Sequence, residues 1–210
     1  MNKMTVVQLK TGRITAVLNE AYSLLIMFAS YIIGVIIGAV LIKTSNRALL
    51  KAEALYSSFI NVRTNKSFSS IFGAAIMEWL PFMLILFVCG TCIVGMVIMP
   101  IFICYKGFCY GALAGYIYSC FAFSGIVFVL LLIIPGTLIG AFGLFLAGKR
   151  SFSFSLILAK SVLPRSREYS MYNVLTHYCK EFVYLLLVAF LAALTDAALS
   201  AAFWDKINLH

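Results

Sequence analysis

Charge is scarce in this sequence. Only 11% of its 210 residues are Asp, Glu, Lys or Arg, and just seven of those are acids. Soluble domains carry about 25% charged and about 45–50% apolar residues. A chain that is 63% hydrophobic with so few charges has no aqueous fold open to it, which excludes a soluble enzyme and a disordered tail. Histidine is nearly absent: His177 and His210 lie far apart and have no motif around them. No HExxH, G-x-S-x-G or Walker glycine loop occurs, so the sequence reads as non-enzymatic, with no catalytic residues and no cofactor. Six cysteines include one CxxC, Cys89 to Cys92, but five of the six fall in apolar runs and no second pair completes a four-ligand metal site. They read as small apolar residues, not as a disulfide framework or a metal centre.

What the sequence does have is long apolar runs. A bilayer core of about 30 Å needs roughly 20 apolar residues in a helix. Five runs meet or approach that length: 22–42, 79–105, 108–123, 126–147 and 182–203. The expected fold is therefore an all-α, polytopic membrane protein, a single domain with a bundle of five transmembrane helices and amphipathic interfacial helices. The run at 108–123 is short, and Ser124-Gly125 leaves a tight turn after it, so crossing and re-entrant readings both stand. The first run is too long for a signal-peptide core and no convincing cleavage site follows it, so it reads as an anchor.

On this division only Asp196 places a charge within a span, and the other charges line the connectors. An N-terminus in the cytoplasm puts ten basic residues inside and six outside, which favours N-in and C-out by the positive-inside rule. The net charge of +9 is thereby an orientation signal biased toward anionic lipid, because its residues divide between two faces instead of forming one nucleic-acid patch. The lipid bilayer is the expected partner, and nucleic acid is not. Trp79 and Trp204 sit at span ends, where amphipathic rings anchor at headgroup level.

Two connectors are long, 43–78 outside and 148–181 inside. The outer one shows two stripes at helical spacing, one through Leu49, Leu55, Tyr56 and Phe59, the other through Phe68 and Phe72 to Trp79. Such helices lie in the interface, fold onto their own bundle or present an apolar face to a partner, and these six side chains at 49–72 are the candidate partner contacts. Small residues recur four apart at Gly34 and Gly38, at Gly107, Gly111 and Gly115, and at Gly136 and Gly140. Faces of this kind let helix backbones approach, either within one chain or in a homo-oligomer. Asp196 costs about 2.5–3.5 kcal/mol at a helix centre and less toward an interface, so it faces the bundle, a partner or a wet crevice.

The stretch Pro100-Ile-Phe-Ile-Cys-Tyr-Lys106-Gly107, continuing to Gly111 and Gly115, resembles the stage II sporulation protein M family. There a proline late in span two precedes a Lys-Gly pair at the membrane edge and a glycine-spaced span three. The likeness extends over most of the chain, including the proline-bearing fourth span with Pro135. It implies a multi-pass scaffold for endospore engulfment at the septal membrane, recruiting the peptidoglycan-degrading stage II sporulation proteins D and P. The alternative reading, a transport or channel subunit, rests on the helix breaks expected at Pro100 and Pro135 and on Asp196.

Overall fold

The computed structural model describes residues 3–44, 46–63, 67–161 and 171–203, and all of these except Ser67 and a turn at 91–94 are helical. In chain order the helices are α1 (Lys3–Thr44), α2 (Asn46–Arg63), α3 (Phe68–Gly90), α4 (Gly95–Phe128), α5 (Ile134–Ser161) and α6 (Met171–Phe203). A π-helical turn at Val129–Ile133 joins α4 to α5. Five stretches are long and apolar enough to cross a membrane: Tyr22–Ile42, Phe68–Gly90, Gly95–Phe121, Ile134–Ala159 and Tyr172–Ala201. The protein is an all-α, multi-pass membrane protein.

The second and third spans divide at a different place from the one expected at Lys106-Gly107. The chain turns at 91–94, so α3 and α4 begin eleven and thirteen residues earlier than the runs at 79 and 108. Hydropathy is continuous from Trp79 to Tyr105, and an isolated lysine is assigned to the membrane edge as long as its partner is unknown. In the fold Lys106 has a partner, and it stays inside.

Two further differences follow. The stripe from Phe68 to Trp79 is the first half of α3, not an interfacial helix of its own, so the connector expected over 43–78 reduces mainly to α2. Most of the connector expected over 148–181 is also helix, because α5 runs on to Ser161 and α6 starts at Met171. Ser151 and Ser155, four apart on one face of α5, are both fully buried. The Ser155 hydroxyl donates to Cys92 O at 2.7 Å, tying the 91–94 turn to α5.

Helix neighbours fix the topology. Positions 31, 35 and 39 of α1 face 107, 111 and 115 of α4, so these two helices run parallel along a constant register. Contacts of α3 with α6 run the opposite way, Phe72 against Phe190 and Phe87 against Phe182. Helix α5 lies antiparallel to α6, with Gly136 beside Asp196 and Ser151 bonded to Tyr178. The α4–α5 hairpin is tight: a Cβ on Gly125 would stand 2.7 Å from Ile117 O. Eight residues of straight helix span about 12 Å, so the chain doubles back there. After that bend comes the π turn, in which Ile134 N–H reaches back to Val129 O. Pro135 follows at once and has no N–H to offer, and the Thr137 hydroxyl bonds Ile133 O at 2.9 Å.

Between the helices lies a core that includes Met27, Met83, Leu86, Met99, Ile103 and Leu144, all buried. Large apolar side chains that stay exposed, such as Ile36, Val97, Leu138 and Leu187, lie on the outer faces of the spans, where hydrocarbon is their solvent.

Candidate functional site

Glu78 is the eleventh of 23 residues in α3, and Lys106 the twelfth of 27 in the α4 span, so both lie near mid-membrane depth. The Lys106 side chain is only 5% exposed. Its Nζ donates to Glu78 O at 3.1 Å and to Glu78 Oε1 at 3.3 Å. The Tyr110 hydroxyl, one helical turn along α4, donates to the same Oε1 at 2.5 Å. Three rings enclose the ammonium: Phe82 at 4.5 Å, Trp79 at 4.8 Å and Tyr110 at 5.0 Å from their centroids. An isolated lysine at a helix centre costs about 2.5–3.5 kcal/mol on insertion scales; a carboxylate partner and aromatic faces offset that cost.

Packing behind the pair holds it in place. Trp79 stacks on Tyr110 with ring centroids 5.7 Å apart. Its six-membered ring reaches Gly140 of α5, where a Cβ would come 2.3 Å from the indole. Gly140 is therefore the space into which Trp79 fits. This corrects the expectation for Trp79, which is 2% exposed at mid-span and does not anchor at an interface. Trp204, the other expected anchor, lies outside the described residues.

On its open side the pair faces a cavity of about 350 Å³. Glu78, Lys106 and Tyr110, with Ser58 and Cys109, form the polar part of its wall, and Leu55, Phe59, Phe82, Leu113 and the Tyr105 ring form the apolar part. Leu55 and Phe59 belong to α2, which covers one side of the cavity. Ala52 of α2 is buried against Ile42 and Ala112, Tyr56 sits 5.4 Å from Tyr116, and Phe59 sits 6.3 Å from Phe128. Tyr56 and Phe59 thus turn toward the bundle, whereas Leu49 and Leu55 are exposed. Of the two candidate contacts in α3, Phe68 is exposed and Phe72 packs edge-on against Phe190.

The glycine faces are occupied within the chain. A Cβ on Gly34 would meet Cys104 O at 2.1 Å, one on Gly38 Phe108 O at 2.3 Å, and one on Gly111 Val35 O at 2.1 Å. Gly107 is closed off in the same way by Tyr31 O, and Gly115 approaches Ala39 at 3.2 Å. A homo-oligomer through these faces would have to separate α1 from α4. Pro100 lies in the second turn of α4, on the side of the bundle where the 91–94 turn lies. Asp196 is buried beside Gly136 and already engaged within the chain, so it faces the bundle.

A family model for stage II sporulation protein M matches residues 25–203. The chain belongs to the stage II sporulation protein M family. No curated protein and no solved structure matches it. Membership makes it a sporulation-related membrane protein, and the stretch that carried the resemblance, from Pro100 to Gly115, lies wholly within α4. In this family member the Lys-Gly pair belongs to the interior of the bundle: Lys106 completes the ion pair while Gly107 lets α1 approach.

Sequence reasoning missed Glu78, Phe82 and Tyr110. The signal was present, since Glu78 is the only charge between Ser67 and Tyr105, and Lys106 is the next one along the chain. Two lone charges of opposite sign, each set within a span-length apolar run, are an intramembrane pair until shown otherwise.

Proposed function

We propose that this chain is a non-enzymatic membrane scaffold for endospore engulfment, recruiting stage II sporulation proteins D and P to the septal membrane. The observation that supports this reading best is α2. Ala52, Tyr56, Phe59 and Ile60 hold it against the bundle, while Leu49, Leu50, Lys51, Glu53, Ser57 and Asn61 remain exposed. A helix fixed on one face and open on the other is a suitable platform for partners whose chemistry takes place outside the membrane. Outside the five spans six basic residues fall on each side. Lys149, Arg150 and Lys180 lie within spans, toward the ends that share the side of the N-terminus, and it is these three that favour a cytoplasmic N-terminus.

Co-purification from solubilised sporulating cells tests the platform. Leu50→Glu together with Lys51→Glu changes the exposed face without touching the docked one, and is expected to release the wall hydrolases while the protein keeps its melting temperature. Undiminished recovery of both hydrolases removes α2 as their contact.

A second reading, a transport or channel subunit, is favoured by the ion pair beside a mid-span cavity. It expects solute flux in proteoliposomes that Glu78→Gln abolishes. Flux that survives Glu78→Gln excludes the pair from transport, and absence of flux from the unaltered protein removes the reading.

A further inference from the structure

Among the polar groups on the wall of the 350 Å³ cavity, Glu78 carries the one charge that is open to it; Ser58, Tyr105 and Cys109 add neutral groups. Both side-chain contacts to the Glu78 carboxylate use Oε1, and the side chain keeps 36% of its exposure, which leaves Oε2 for a ligand. Lys106 is unavailable, because it is 5% exposed behind Trp79, Phe82 and Tyr110. What the ion pair offers the cavity is therefore a hydrogen-bond acceptor, and a group seated on it must donate.

Charge narrows the class further. A phosphate headgroup would bring an anion against the carboxylate. An ammonium would add a third charge where Lys106 already balances Glu78, leaving a net positive site in apolar surroundings. A neutral hydroxyl meets neither objection and satisfies the exposed oxygen. The remaining walls, Leu55, Phe59, Phe82, Tyr105 and Leu113, suit hydrocarbon. Tyr105, at the rim, is 57% exposed and adjoins Lys106 in the middle of its span, so the mouth opens at the depth of the acyl chains. The volume is near the lower end of the range for small-ligand pockets, about 300–1,000 Å³, enough for a headgroup and the first part of a chain.

We propose that the cavity between α2, α3 and α4 binds a neutral lipid with a free hydroxyl, of the diacylglycerol class, whose hydroxyl donates to Glu78 Oε2. The lipid enters sideways from the bilayer, and α2 covers it. The site stands independently of the scaffold reading, since neither Leu50 nor Lys51 lines it.

The test uses the full-length protein in detergent, with native mass spectrometry and thermal shift as readouts and three probes. These are 1,2-dioctanoylglycerol, its 3-acetyl ester, which lacks the hydroxyl, and dioctanoyl phosphatidic acid. Dioctanoylglycerol is expected to bind at least tenfold more tightly than either of the others and to raise the melting temperature. Ala74→Trp, which adds bulk at a half-buried position on the cavity wall, is expected to remove that binding. Where that variant folds poorly, competition by dioctanoylglycerol against maleimide labelling of Cys109, another lining residue, gives the same answer in the unaltered protein. Equal binding of the acetyl ester overturns recognition through the hydroxyl. Preference for phosphatidic acid overturns the neutral class. If no lipid binds and Ala74→Trp instead releases a co-purifying membrane protein, the cavity belongs to a partner helix and the proposal fails.

Discussion

A lysine and a glutamate at mid-membrane depth stabilise each other only as a pair. Lys106→Met removes the cation and leaves Glu78 beside apolar walls. The expected loss is about 3 kcal/mol, the lower end for a broken buried pair because the carboxylate keeps access to the cavity. Combining it with Glu78→Gln leaves no charge at all, and the double variant is expected to melt above the single one; thermal unfolding in detergent measures both. Glycine substitutions separate in the same assay. Gly111→Leu drives a side chain into the α1 backbone and is expected to cost at least about 1–3 kcal/mol, the range for overpacking. Gly73→Ala meets nothing within 4 Å and is expected to be neutral or slightly stabilising, as helix propensity favours alanine. The close-approach glycines were legible in the sequence, because a four-residue repeat of small side chains has one main use in lipid. The role of Gly140 as a seat for an indole was not, since nothing in the spacing connects position 140 with position 79.

At the scale of helices, the 91–94 turn is the element that sequence reasoning placed wrongly. Thr91 is its most polar residue, and the strongest apparent break, Lys106, lies well away from it. What holds the turn comes from distant helices. Ser155 donates to Cys92 O, Tyr178 donates to Phe87 O at 3.0 Å, and Gly90 leaves room for the Tyr178 hydroxyl. None of these long-range partners can be read from a local window, whereas the first apolar run, 22–42, needs no partner to define it and lies within α1. Ser155→Ala removes one of the clamps at an expected cost of about 0.5–1.5 kcal/mol. In a version that keeps Cys92 as its sole cysteine, the same substitution is expected to speed maleimide labelling of that exposed thiol; an unchanged rate shows the turn rigid without Ser155.

For the molecule as a whole, five spans put the 91–94 turn and α2 on opposite sides of the bundle. In intact cells, a cysteine at position 57 on α2 is expected to react with an impermeant maleimide, while Cys92 reacts only after permeabilisation. The reverse pattern inverts the orientation. The number of spans and the helical class followed from composition and run length. The interior did not, because an ion pair enclosed by rings from two helices exists only once those helices are neighbours.

The parallel contact between α1 and α4 also bears on how the chain is made. Tyr31 meets Gly107, so 76 residues separate the two halves of that contact. At about 5–20 residues per second, a ribosome takes roughly 4–15 s to supply the second half after the first. For that interval α1 sits in the bilayer with its groove uncovered and α2 without the surface it docks on. A nascent chain that stalls before α4 therefore presents an adhesive helix whose nearest match is the same helix on another unfinished chain.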